Sequence, residues 1–196
     1  MLTLYHSPQS RSSRIIWLLE ELGADYTIRQ VSIVRGPDQT GAPDPANPHP
    51  FKQVPALLDG DVLITESVAI ALYLLEKFPD AGLAPPVGDP DRGPFLSWLV
   101  WYAAEMEPAM FYFFADELGT PYKSKALGNV QRRILDALAA GPFLTGERFA
   151  AVDVFVGSAL QFMRRMLPED RHVDAYVERV TARPALARAL AKDGTL

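Results

Sequence analysis

The stretch that decides the fold runs from Asn47 to Leu74 and reads NPHPFKQVPALLDGDVLITESVAIALYL. Asp59-Gly60 stands between two short apolar runs, a strong local sign of a hairpin. The residues from Glu66 to Phe78, ESVAIALYLLEKF, then read as a helix. Val68, Ala71, Leu72 and Leu75 form one face, and Ile70, Tyr73 and Leu74 make the opposite side apolar too. A helix apolar on two sides is expected to be buried on two sides. Pro79 ends it.

Upstream of this stretch, residues 35–50 hold five prolines, Pro37, Pro43, Pro45, Pro48 and Pro50. No regular element survives that density, so a loop is predicted. Loops of this length inside a compact domain are often functional. Tyr26 to Val34 is rich in β-branched residues and reads as a strand, and Leu2 to His6 as a shorter one. Between them Ser10, Arg11, Ser12 and Ser13 open a helix. Ile15, Ile16, Leu18, Leu19 and Leu22 recur at helical spacing, and Gly23 supplies the stop. Residues 1–79 therefore read β-α-β-loop-β-β-α. Downstream, residues 80–94 are rich in proline and glycine and read as a linker. Residues 95–196 read as all-helical. A long aromatic helix from Phe95 to Leu118 is expected to bend at Pro108, followed by helices over Lys123–Ala140, Ala151–Met166, His172–Thr181 and Ala185–Leu190. Ala151–Met166 is almost wholly apolar and should run through the middle of the helical domain.

The chain of 196 residues is 48% hydrophobic and 22% charged, which excludes a disordered protein. Its net charge is −5 with no basic run, a poor match for nucleic acid or an anionic membrane. It contains no cysteine, which removes disulfides, thiolate zinc sites and any mechanism that uses a protein thiol. His6, His49 and His172 show no metal-ligand spacing, so no metal is expected. The first residues lack the basic leader and apolar core of a signal peptide, and no apolar run reaches the length of a membrane span. A cytoplasmic location is the expectation.

Four local features carry chemistry. Gln53-Val54-Pro55 follows the loop and precedes a strand. A cis Val54–Pro55 bond would turn the Val54 N–H and C=O toward a ligand, but spacing alone favours an ordinary trans proline at an edge. Glu66-Ser67 opens the apolar helix, where free N–H groups attract a carboxylate, Ser67 adds a hydroxyl and Glu66 can receive an ammonium. Alone, the pair is better explained by helix initiation. The turn from Tyr5 to Arg11 places hydroxyls over a helix N-terminus, where a thiolate or other anion is stabilised. Ser10 and Ser12 can equally serve as caps, and the two roles are compatible. Trp98, Trp101, Tyr102, Met106, Met110 and Phe111 to Phe114 are denser than one buried stripe requires. Some of them are expected to line an apolar pocket, although for any one of them the core is the better explanation.

Together these features resemble the glutathione S-transferase family over essentially the whole chain. LYHSPQSRSSRIIWLLEELG is similar to the family's first strand and helix, and residues 47–74 to its glutathione-binding half. PFLTGERFAAVDVFVGSAL resembles its buried C-terminal helix, and AYVERVTARPALARAL its last helices. The resemblance implies a thioredoxin-like N-terminal domain, an all-α C-terminal domain and a homodimer. It implies glutathione as cosubstrate and a small electrophile as partner. Carried over by position, Glu66 and Ser67 would hold the γ-glutamyl end and the Val54 backbone, before Pro55, the cysteinyl unit. Gln53, helped by Lys52, would address the glycine carboxylate. Tyr102 and Met106 on the aromatic helix would line the site of the electrophile. Ser10 comes first as the group that activates the thiol, Tyr5 second and Ser7 third.

The chain departs from the family pattern in three places. Cysteine is missing, Lys52 stands where glycine is frequent, and Ala150-Ala151-Val152-Asp153 replaces Ser/Thr-x-x-Asp at the start of the buried helix. Two other readings compete: a non-catalytic protein that binds glutathione or an apolar ligand, and an interaction module. Retention of Gln53, Val54-Pro55 and Glu66-Ser67 argues against the second of these.

Overall fold

A computed structural model of the chain describes residues 1–35, 40–114 and 121–194. The chain divides into two compact units, residues 1–81 with 184–196, and residues 82–183. This differs from a division at 79 and 95. The last helix, α8 (Pro184–Asp193), groups with the N-terminal unit and packs on α1 (Arg11–Glu21).

The N-terminal unit is a four-stranded sheet in the order β2-β1-β3-β4, with β1 Leu2–His6, β2 Tyr26–Gln30, β3 Ala56–Asp59 and β4 Val62–Thr65. β1 runs parallel to β2 and antiparallel to β3, and β3 and β4 form the expected hairpin. Its loop is Gly60-Asp61, with positive φ at Gly60 alone, as the first central position of a type II′ turn requires. β2 stops at Gln30, four residues short of the expected end. Only Val31 continues the pairing, donating its N–H to the His6 carbonyl at 2.9 Å. In the proline-rich loop the described residues contain an Arg35–Thr40 bridge and no helix or strand, and residues 36–39 lie outside the described residues.

Strand alternation sets the faces of β1. Leu2, Leu4 and His6 share one face and are buried, and Tyr5 turns to the other, beside Val31 and Ala56. α1 buries Ile15, Ile16, Trp17, Leu18 and Leu19. α2 (Ser67–Lys77) buries one stripe, Ile70, Ala71, Leu74 and Leu75, while Val68, Leu72 and Tyr73 stay half-exposed. The expectation of burial on two sides is thus corrected: on the second side Tyr73 turns its hydroxyl to Asp59 at 2.7 Å, beside the Lys77–Asp59 ion pair.

The α1–α8 contact has a charged clamp. The Glu20 carboxylate accepts from Arg188 Nε at 2.8 Å, Lys192 Nζ at 2.5 Å and the Tyr26 hydroxyl at 2.7 Å. Partial burial works against ionisation, but these donors outweigh it and hold Glu20 down at about 2.

In the second unit, α3 (Arg92–Trp101) starts three residues before the expected Phe95. It continues through a π-helical turn, Tyr102–Met106, into α4 (Glu107–Phe114). The irregular turn therefore lies just before Pro108, which cannot donate a backbone hydrogen bond. The residues expected at 115–118 lie outside the described residues. α5 spans Pro121–Ala140, α6 Ala151–Met163 and α7 Arg171–Thr181. α6 is the central element of this unit, buried without interruption from Ala151 to Leu160.

Ala150 is the N-cap of α6 and supplies no side-chain cap. Asp153 accepts from the Ala150 N–H at 2.9 Å, the Leu144 N–H at 3.1 Å and the Tyr176 hydroxyl at 3.1 Å. Burial nevertheless raises its pKa to about 6, against those three bonds.

Two stability predictions follow from these contacts. Ala150→Ser returns the missing cap bond and should stabilise the protein by about 1 kcal/mol, read as a higher denaturant midpoint. The Glu20 clamp has a folded pKa near 2, below the ordinary glutamate value of 4.5. Its stabilisation is therefore complete above that value and lost as pH falls toward 2. The midpoint difference between wild type and Glu20→Gln should be largest near neutral pH and shrink through that acid window.

Candidate active site

The sheet register assembles the site. Tyr5 pairs with Ala56, and Ala56 pairs with Thr65. The turn after β1, the residues just before β3 and those just after β4 therefore meet at one edge of the sheet. Ser7 to Ser10, Val54 and Glu66-Ser67 all lie there, and α1 and α2 both begin there. Two helix N-termini at one edge favour an anionic ligand.

Among the described residues three non-glycine residues have positive φ, Gln9 at 51°, Lys52 at 55° and Glu66 at 68°. Each sits in a different one of the three segments that meet at this edge. Such conformations are costly for residues with a Cβ and concentrate at functional sites.

The Val54–Pro55 bond is cis, not the trans proline favoured by spacing alone. Among the described residues the Val54 N–H and C=O take no hydrogen bond, and neither do the side chains of Gln53, Glu66 and Ser67. Lys52 is committed elsewhere: its ammonium donates to the Asn47 carbonyl at 2.7 Å and reaches the Pro45 carbonyl at 3.4 Å. It ties the loop together, as does fully buried Asn47, which donates to the Gln53 carbonyl at 3.0 Å.

Ser10 is the N-cap of α1. Its hydroxyl accepts from the Ser12 N–H at 3.2 Å, while Ser13 Oγ accepts from the Ser10 N–H at 3.2 Å. Ser10 Oγ also lies 2.7 Å from Ser12 Oγ and 2.7 Å from the Ser7 carbonyl. The capping role is thus present, and it leaves Ser10 partly exposed. Ser7 is buried, and its hydroxyl accepts from Arg35 at 2.6 Å. Tyr5 faces the opposite side of the sheet from His6, with Val54 against its cluster and Arg29 5.6 Å from its ring centre.

Tyr102 and Met106 belong to the helical unit and are fully buried there. Tyr102 packs edge-on against Phe155 and donates to Glu107 at 3.1 Å. Packing of α3 against α6 turns this side of the helix into core. Trp98 and Trp101 line a cleft of about 720 Å³ within the helical unit, with Glu105, Asn129 and Arg133. The Arg133 guanidinium sits 4.3 Å and 4.7 Å from the two indole centres, and burial lowers its pKa.

Sequence reasoning missed His6, Asn47 and Asp193. His6 and Asn47 are fully buried and Asp193 nearly so. A histidine in the first strand was visible, but nothing in the sequence tied it to an aspartate 187 positions later.

A mixed four-stranded sheet with a cis proline before β3, followed by a helical unit, defines a thioredoxin-like domain joined to an α-helical region. Residues 1–76 match the family model for the glutathione S-transferase N-terminal domain. The crystal structure of a theta class glutathione S-transferase from Xanthomonas axonopodis pv. citri, with glutathione bound, is 30% identical. It covers 96% of each chain with a TM-score of 0.75. A glutathione transferase from Methylococcus capsulatus is 27% identical over all of both chains, with a TM-score of 0.80. The curated glutathione S-transferase GstA of Escherichia coli O157:H7 is 28% identical over 97% of this chain and 98% of its own. The chain belongs to the glutathione S-transferase family and is an enzyme of that family.

Proposed function

We propose that this enzyme binds glutathione at the sheet edge and ionises its thiol there for attack on an electrophilic carbon or a peroxide. The observation that carries the reading is the set of unspent groups at that edge. Glu66 offers a carboxylate to the γ-glutamyl ammonium, and Ser67 and the α2 N-terminus offer donors to its carboxylate. The Val54 N–H and C=O offer a strand-like pair to the cysteinyl unit, and the Gln53 amide stands ready for the glycine end. These groups account for binding alone, so the state of the thiol tests the activation step. Ser10 stands at the α1 N-terminus, where a hydroxyl and a helix dipole together favour a thiolate. Tyr5 is second, since its hydroxyl has no hydrogen-bond partner among the described residues. Ser7 is third, its hydroxyl being engaged by Arg35. The protein is further read as a cytoplasmic homodimer, with a small electrophile as second substrate.

Each lost charged or helix-end contact should cost about 1.5–3 kcal/mol, roughly ten- to hundred-fold in affinity. Titration calorimetry on Glu66→Ala and Ser67→Ala should show weakening of that order. Unchanged glutathione affinity in both variants would overturn the assignment.

The pKa of bound glutathione, followed by thiolate absorbance across pH, should rise on Ser10→Ala and barely move on Tyr5→Phe. The reverse result transfers the role to Tyr5. No shift in either variant points to Ser7, or to binding without activation.

A further inference from the structure

Beneath Ser10 lies a chain of short polar contacts that runs inward to the end of α8. Ser10 Oγ is 2.7 Å from Ser12 Oγ, and Ser12 Oγ is 2.7 Å from His6 Nδ1. His6 Nε2 is 2.8 Å from the Asp193 carbonyl oxygen and 3.6 Å from Asp193 Oδ1. His6 and Ser12 are fully buried. Asp193 Oδ2 accepts from the Gln9 N–H at 3.0 Å, while Oδ1 is buried without a hydrogen-bond partner among the described residues. A buried carboxylate oxygen left unpaired beside an imidazole asks for an explanation.

The hydrogens can be placed from the partners. A carbonyl oxygen only accepts, so Nε2 carries the hydrogen toward Asp193. In the neutral ring Nδ1 then accepts, and its donor is the Ser12 hydroxyl. With its hydrogen spent on His6, Ser12 Oγ can only accept from Ser10. The Ser10 hydrogen is therefore directed inward, to Ser12 Oγ and the Ser7 carbonyl. Outward, Ser10 presents a lone pair.

We propose that His6 is a positioning residue and the proton acceptor for thiol ionisation, acting through Ser12 and Ser10. This rests on the reading that Ser10 meets the glutathione sulfur. The step balances as a relay. The thiol proton passes to Ser10 Oγ, the Ser10 hydrogen passes to Ser12 Oγ, and the Ser12 hydrogen passes to His6 Nδ1. The products are a thiolate facing a Ser10 hydroxyl that now donates to it, and an imidazolium with both nitrogens donating. The new positive charge lies beside the unpaired Asp193 oxygen. Imidazole suits the role because it can take a proton at one ring nitrogen while the other keeps its own hydrogen bond. The charged groups bonded into the network are Asp193 from α8 and Arg35, which donates to Ser7 Oγ. A hydroxyl cap alone requires neither the histidine nor the aspartate.

The test separates the relay from the reading beneath it. In isotope-labelled wild-type protein, the His6 ring nitrogens are followed by NMR with glutathione bound and with S-methylglutathione bound. Glutathione should convert Nδ1 to its protonated signature as thiolate absorbance appears. S-methylglutathione, which has no thiol proton, should leave it unprotonated. An unprotonated Nδ1 beside a bound thiolate overturns the relay, and the measurement needs no variant to fold.

Bound-thiol pKa values in His6→Gln and Ser12→Ala form the second arm. Each should rise by about one unit, a tenfold fall in the thiolate-to-thiol ratio at a given pH, with glutathione affinity changed less than about twofold. If Ser10→Ala raises the thiol pKa while both of these leave it in place, the relay fails and the role of Ser10 stands. If Ser10→Ala also leaves it in place, the reading beneath fails, and the relay with it.

Discussion

β1 lies between a parallel partner and an antiparallel one, and the pairing of Tyr5 with Ala56 fixes what both of its faces and its end can do. It sets Val54 beside the turn that carries Ser10, and through Thr65 it brings Glu66-Ser67 to the same edge. Side chains alternate along a strand, so a slip of one residue would exchange Tyr5 and His6 between faces. His6 would then leave Ser12 and Asp193, and a charged-capable ring would enter an apolar cluster of Val31 and Ala56. The burial of Leu2 and Leu4 on the His6 side opposes that slip with several kcal/mol of lost apolar burial.

The last helix completes this unit although it is farthest away in sequence. Its Arg188 and Lys192 close on Glu20, and its final residue, Asp193, reaches the turn at Gln9 and the ring of His6. The turn that carries Ser10 is thus held from beneath by α8 and from the side by Arg35. Side chains held at both ends lose fewer alternative positions on binding, which is the physical content of preorganisation.

The helical unit has its own polar centre. Asp153 joins the start of α6 to the Leu144 backbone and to Tyr176 on α7, all in a buried setting. Three donors satisfy the carboxylate, yet burial still favours its neutral form. Around it the aromatic helix sends Tyr102 and Met106 inward, and leaves Trp98 and Trp101 to frame an open cleft with Arg133 over both rings.

The sequence by itself determined whatever rests on local rules. Gly60 had to terminate a hairpin, the prolines from Pro37 to Pro50 had to keep a loop irregular, and the period of Ile15 to Leu22 had to make a helix. The Glu66-Ser67 and Val54-Pro55 pairs were legible because a helix start and a strand start are local events. Ala150 was legible as a bare cap for the same reason. Only the tertiary structure decided matters that depend on distant partners. Spacing could not choose the isomer at Pro55, which the chain sets as cis. Apolarity could not separate the buried side of the aromatic helix from its open one, because that depends on where α6 packs. The grouping of α8 with the N-terminal unit was not legible either, because its helical period says nothing of whether it packs on α1. The bond from His6 to Asp193 lay beyond any motif, since its two ends meet only when the last helix returns to the first.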